Sequence, residues 1–361
     1  MEVEPALATA LQRAIDAVRS VHERQTPIDI EYEPSPGVSI RRRWSPMRRV
    51  GVYVPGGGAN YPSSLVMGVV PAQAAGVDEI AIVCPAAPSG SIDIGVLAAA
   101  HMLGVSEVYA TGGAQAIGAL AFGTETIRRV QKIVGPGGPW VTAAKLAVYG
   151  EVGVDLPAGP SEAAVIVDST TDPRVAASDL LCQAEHGPDS VVTLVTAHAD
   201  KATEVIAELS RQILRLNRRD IIERALATHG LVVIAQDHSA ALAFVNDWAP
   251  EHASILTERP AKDAESITAA GSVFVGQWSP ESAGDYATGA NHILPTGGLA
   301  AAYGPLATED FGSWRQVQEL TRAGLEGLAP TIRTLAQYEG LTAHAASVET
   351  RLRATQAAVS A

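Results

Sequence analysis

The sequence predicts an α/β protein of two incomplete doubly wound lobes with parallel sheets, followed by a C-terminal helical tail. Three observations predict it. Short β-branched runs alternate with Ala/Leu-rich stretches from residue 50 to about 280. The runs are apolar without interruption, as in parallel strands covered on both faces. Gly-rich turns close several of them, at 54–60, 111–116 and 134–141.

The elements follow in order. Residues 6–24 form an amphipathic helix, with Leu7, Leu11, Ile15 and Val18 at helical spacing. A polar, Pro-containing stretch runs from Gln25 to Pro36. The basic clusters at 41–44 and 48–50 read as a solvated edge beside a strand, because the rest of the chain is acidic. Strands are expected at Val50–Val54, Ile80–Cys84, Val108–Ala110, Lys132–Val134 and Ala164–Val167. Helices near 62–76, 92–104, 114–122 and 140–149 separate them. A second series places strands at Val191–Val195, Leu231–Ile234, Ser254–Leu256 and Ser272–Val275. Its helices fall near 173–186, 199–217, 239–248 and 260–270. No sequence repeat links the two series. After residue 305 no strand pattern remains. The tail reads as helices near 308–325, 330–338 and 340–355, split by Pro330 and Gly340.

Composition limits the partners. The chain has 361 residues, 47% hydrophobic and 18% charged, so a sizeable core can be buried and global disorder is excluded. With 26 Lys and Arg against 39 Asp and Glu, the net charge of −13 argues against nucleic acid and anionic membranes. No apolar run reaches the roughly 18 residues of a membrane span. The N-terminus lacks the basic start and unbroken apolar stretch of a signal peptide. Two cysteines, Cys84 and Cys182, cannot build a disulfide framework, so a reduced, cytoplasmic setting is expected.

The chemistry concentrates in a few segments. Glycine lets backbone approach a ligand at the carboxyl ends of strands, but none of the three turns is a clean GxGxxG. They read either as ligand cradles or as tight turns. Gln183 and His186 are three apart on one helix face. Glu251 precedes His252 before a strand, Asp285 and His292 share a Gly-rich loop, and Glu339 and His344 lie in the tail. Singly, each suits surface polarity. Jointly, His, carboxylate and Gln in strand-end loops can converge on one divalent ion. Cys182 sits in an apolar helix segment and reads as a buried, inert thiol rather than a nucleophile.

The segments RVGVYVPGG, YPSS, VPAQAAGVDEI, GGAQAIGALAFGTETI, KIVGPG, VTAAK, AGPSE, QAEHGPDS, APEH, GDYATGANHILPT and EGLTAH resemble, in order, the pattern of histidinol dehydrogenases. The resemblance runs from about residue 5 to residue 355. It implies Rossmann-like lobes and a zinc-dependent homodimer. It also implies oxidation of L-histidinol to L-histidine through L-histidinaldehyde, with reduction of two NAD+. Carried over by motif, the zinc ligands would be Gln183, His186, Asp285 and His344, the last from the partner subunit. Glu251 and His252 would be the catalytic pair. Ser161, His292 and Glu339 would contact substrate together with the zinc ligands and His252. Tyr53, Gln115 and Gly138 would lie at the dinucleotide.

Several positions depart from the family pattern. GPGG replaces the usual GPGN, which leaves Gly138 without a side chain. The first loop reads GGGA, and no Arg follows NHILPT. The chain also begins later than family members usually do. One lobe is expected to combine 1–50 with 163–300 and carry the metal and catalytic loops. The other is expected at 51–162 with the glycine loops, and 301–361 as a dimer-contacting tail. Two rivals remain at this point: a paralogous zinc and NAD dehydrogenase for another amino or sulfo alcohol, and a non-catalytic zinc- and ligand-binding relative.

Overall fold

The computed structural model describes residues 3–56, 60–155 and 159–359, with side chains up to residue 353. The first loop's GGGA departure, at 57–59, therefore lies outside the described residues. Two compact units are distinguished. The larger comprises residues 1–26 and 46–311, the smaller 27–45 and 312–361.

The larger unit begins with α1 (Pro5–His22), whose Leu11, Ile15 and Val18 are buried. Strand β3 (Arg49–Tyr53) is buried throughout and leads to α2 (Pro62–Ala75). There follow β4 (Glu79–Cys84), α3 (Ile94–Met102), β5 (Glu107–Ala110), α4 (Gly113–Phe122), β6 (Lys132–Val134), α5 (Pro139–Ala147) and β7 (Gly153–Val154). These strands form a parallel sheet in the order β5-β4-β3-β6-β7. Helix α2 approaches β3 closely because Gly68 carries no side chain. A Cβ there would lie 2.7 Å from Val52 Cγ1.

The second half repeats the plan. It runs β8 (Glu162–Val167), α6 (Pro173–Glu185), β9 (Val191–Thr196), α7 (Ala199–Gln212), α8 (Arg219–His229), β10 (Gly230–Ile234), α9 (His238–Trp248), β11 (His252–Leu256), α10 (Pro260–Ala264), β12 (Ser272–Val275) and α11 (Glu281–Tyr286). Its parallel sheet has the order β10-β9-β8-β11-β12. In sequence ranks both sheets read 3-2-1-4-5, a doubly wound half. Val165 and Val167 of β8 point to the core under α6, α7 and α8. Ala164 and Ile166, on the other face, pack with α9 residues Ala241, Leu242 and Val245. Period-two alternation thus feeds two cores from one buried strand.

The smaller unit holds β1 (Ile30–Ser35), β2 (Val38–Pro46), β13 (Gly312–Leu320), α12 (Arg322–Tyr338) and α13 (Thr342–Val359). Its sheet has the order β1-β2-β13, with β1 and β2 antiparallel.

Three expectations are corrected here. The stretch 308–325, expected as helix, contains strand β13. Its partner decides the matter: Arg41 of β2 pairs with Glu319 at 2.9 Å, and the Arg42 guanidinium lies 4.2 Å from the Trp314 ring centroid. Pairing across 278 residues of chain overrides weak local preference. The same pairing makes strands of the polar stretch and of the 41–44 basic cluster. Helix α12 runs through Pro330 unbroken, because the proline faces solvent and removes a single donor. Residues 1–26 group with the larger unit. Helix α1 packs on α2 and α3, and 27–45 belong with the tail. Helices α8 and α11 were not expected at all.

Candidate active site

A cavity of about 680 Å³ opens between the two sheets of the larger unit. The sheets face it with opposite ends. The first contributes the loops after its carboxyl ends, including Pro55 past β3 and Pro136 and Gly137 past β6. The second contributes the amino ends of β8 and β11, through Ser161, Glu251 and His252.

Helix α6 starts with Asp172 capping the Arg174 N–H and ends at Glu185, which delivers Gln183 and His186 to the cavity side of β11. His252 Nδ1 lies 3.2 Å from Gln183 Oε1, and both side chains are buried. One turn further back on α6, Asp179 accepts a 2.6 Å hydrogen bond from Ser254 and ties the helix to β11. Glu251 accepts from the Glu162 N–H at 3.0 Å. Burial pushes the Glu251 carboxyl up to about 8, partly offset by hydrogen bonds from Glu162 and Ser161. Burial pushes His252 down to about 3, helped by the neighbouring His186 and His292, so its imidazole is neutral at pH 7.

Helix α11 supplies the acids. His186 Nδ1 lies 3.7 Å from Glu281 Oε1, and His186 Nε2 lies 3.9 Å from Asp285 Oδ2. His292 Nδ1 lies 3.0 Å from the Asp285 carbonyl, and its Nε2 is 3.3 Å from Ser64 Oγ of the YPSS segment. Burial raises Glu281 well above the usual carboxylate range, with Asp285 and Glu251 adding repulsion.

His186, Glu281 and Asp285 each offer one ligand atom, all within 4.8 Å of one another. The residues fit a divalent cation on a further observation. Glu281 Oε1 and Gln183 Nε2 are buried with no hydrogen-bond partner. Turning the Gln183 amide over would exchange its oxygen and nitrogen without changing its shape. Glu281 escaped sequence reasoning, although SPESAGDY sets it four residues before Asp285, on one helix face.

Gln183, His186, Glu251, His252, Asp285, His292 and Ser161 thus gather around one cavity or its wall. Glu339 and His344 lie in the smaller unit, both exposed, at the end of α12 and the start of α13. Near the first sheet, the Tyr53 hydroxyl accepts from the Gly113 N–H at 3.2 Å. Gln115 is exposed on α4. Gly138 begins α5 with φ −67°, and a Cβ there would meet nothing within 4 Å. Burial and the nearby carboxylates Glu281 and Asp285 push the Cys182 thiol far up, so it is no thiolate nucleophile.

Fold and site together define a class: a two-sheet α/β enzyme whose cavity joins glycine loops to a buried His and carboxylate cluster. A family model described as histidinol dehydrogenase matches residues 1–352, and the chain belongs to that family. It is 46% identical over 351 residues to the histidinol dehydrogenase of Methanothermobacter thermautotrophicus, spanning 97% of this chain and 82% of that protein. The Halobacterium salinarum enzyme is 46% identical over 343 residues, 95% of this chain and 80% of the relative. A crystal structure of histidinol dehydrogenase from Elizabethkingia anophelis superposes with a TM-score of 0.94 at 38% identity, covering 98% of this chain and 82% of that one. A propionaldehyde dehydrogenase from Clostridium phytofermentans shares the fold alone, with a TM-score of 0.52 at 15% identity over 86% of this chain and 92% of that one. No helix among the described residues is long and apolar enough to cross a membrane.

Proposed function

We propose that the chain oxidises L-histidinol to L-histidine through L-histidinaldehyde, reducing two NAD+ and consuming one water. This would place it at the last steps of histidine biosynthesis, in the cytoplasm. The observation that carries the reading is one cavity walled by glycine loops on one side and by Glu251, His252, His186 and Asp285 on the other.

Gln183, His186 and Asp285 would hold a zinc ion, with Glu281 beside them and His344 supplied by the partner subunit of a homodimer. When bound, the zinc would hold the substrate's imidazole and amine and so orient the carbinol carbon. The nicotinamide would accept a hydride at each oxidation. Tyr53, Gln115 and the backbone at Gly138, where the space is open, would line the dinucleotide. Ser161, His292 and Glu339 would contact substrate.

The chain's own groups divide the proton work. His252, neutral and buried, takes the alcohol proton in the first oxidation. Glu251, in its deprotonated form, activates the water that adds to the aldehyde carbon, with Ser161 and the Glu162 N–H holding its carboxyl in place. The second oxidation needs that hydrated carbon. Holding the aldehyde in the cavity between the steps would prevent its loss.

The test is NADH formed per L-histidinol consumed, with and without a chelator. Two per substrate, abolished by chelation and restored by zinc, is the expected result. No NADH from the folded, zinc-loaded protein would overturn the reading.

A further inference from the structure

The lobe built on the first sheet hides an ion pair that the chemistry above leaves unused. Lys145 on α5 and Asp155 just past β7 have side chains only 3% exposed, with Nζ and Oδ1 2.5 Å apart. A buried pair of this kind gives little net stability over apolar side chains of the same size. Its remaining hydrogen bonds are more telling. Asp155 Oδ2 accepts from the Gly135 N–H at 2.6 Å. Lys145 Nζ donates to the carbonyl of the same Gly135. Both backbone polar groups of one residue therefore end on the pair.

Gly135 is the first residue after β6 and opens the Gly135–Gly138 turn. Its φ is +114°, and a side chain there would run into the Tyr53 carbonyl. Asp155 is itself anchored, its N–H donating to the Ile133 carbonyl of β6 at 3.0 Å. The turn is thus fixed from below by charge and from the side by β3, while Pro136 and Gly137 face the cavity.

We propose that Lys145 and Asp155 are the positioning pair of the dinucleotide site. They hold the Gly135–Gly138 backbone ready, so that cofactor binding does not have to order it. The proposal rests on the cofactor reading above and deepens it. Neither residue touches the reacting atoms.

The variant Lys145→Met with Asp155→Leu fills the same space with apolar groups and releases both ends of Gly135. Asp155→Asn keeps the shape and swaps an acceptor facing the Gly135 N–H for a donor or a neutral oxygen. NAD+ affinity by calorimetry and steady-state kinetics are measured on the parent and both variants. In the double variant, Kd and KM for NAD+ rise about tenfold or more. KM for L-histidinol and kcat at saturating NAD+ stay within about threefold, and Tm stays near the parent's. Asp155→Asn moves NAD+ affinity in the same direction. A folded double variant that binds NAD+ like the parent overturns the proposal. So does failure of both variants to fold, which would make the pair a support of the lobe rather than of its turn. A parent that binds no NAD+ would instead sink the cofactor reading itself.

Discussion

Glu281 and Asp285 stand one turn apart on α11 and face the same imidazole, that of His186, at 3.7 and 3.9 Å. Two buried acids so close repel each other unless a proton or a cation intervenes. Glu281→Gln removes one of them at constant shape. Zinc affinity is expected to fall about tenfold or more, as for groups that support metal ligands. The rise in Tm on adding zinc should shrink accordingly, while the zinc-free Tm changes little. A thermal scan with and without zinc reads both. An unchanged zinc response would remove Glu281 from the metal's surroundings.

Glu251→Gln is expected to separate the two oxidations. His252 and the proposed zinc ligands remain, so the alcohol step is expected to survive. Hydration of the aldehyde loses its base, at a cost of about 100-fold or more. NADH per L-histidinol should drop from two toward one, with aldehyde trapped by a carbonyl reagent. A uniform slowing with the ratio still at two would contradict the assigned role.

Cys182 should be dispensable. Its thiol lines the cavity but burial keeps it protonated. Cys182→Ala should retain kcat within about threefold. Loss of activity in a well-folded Cys182→Ala protein would show that the thiol takes part in the chemistry.

Gly138→Asn gives the turn the GPGN pattern that the resemblance leads one to expect. The backbone there is ordinary and the space is open, and Asn is also a good helix start for α5. Stability should change by only a few tenths of a kcal/mol. NAD+ binding should tighten. Weaker binding would show that this loop works without a side chain at that position.

A pH dependence follows from Arg49, buried at the start of β3 between Glu79 and Glu107. The Arg49 guanidinium chiefly holds Glu107 down to about 2, against an ordinary 4.5. The folded value is the lower one, so the contribution is fully present above 4.5 and is lost as pH falls toward 2. Glu107→Gln should lower Tm at neutral pH, and the gap to the parent should narrow below about pH 4. A gap independent of pH would mean that the charge contributes nothing.

Much of this molecule is legible along the chain. Apolar runs such as Ile80–Cys84 and Ala164–Val167 announce their strands, because burial on both faces demands unbroken hydrophobicity. Gln183 with His186, and Glu251 with His252, stand out because helix spacing and adjacency place them together. What stayed hidden depends on distant partners. Ser313, Trp314 and Arg315 carry no strand signal until Arg41 and Arg42 lie alongside. Glu281 looks like a loop acid until α11 forms. Nothing local to Lys145 reveals Asp155, ten residues on, as its partner.

The opposed use of the two sheets has an electrical consequence. Helices that leave carboxyl strand ends begin there, so α2 starts at the cavity with Pro62, Ser63 and Ser64, and α5 starts just past Pro136 and Gly137. Helices that return to amino strand ends finish there, so α6 presents its last carbonyls from the other wall, close to His186. Strand direction alone therefore polarises the cavity. One wall leans positive and the other negative, before any charged side chain is counted.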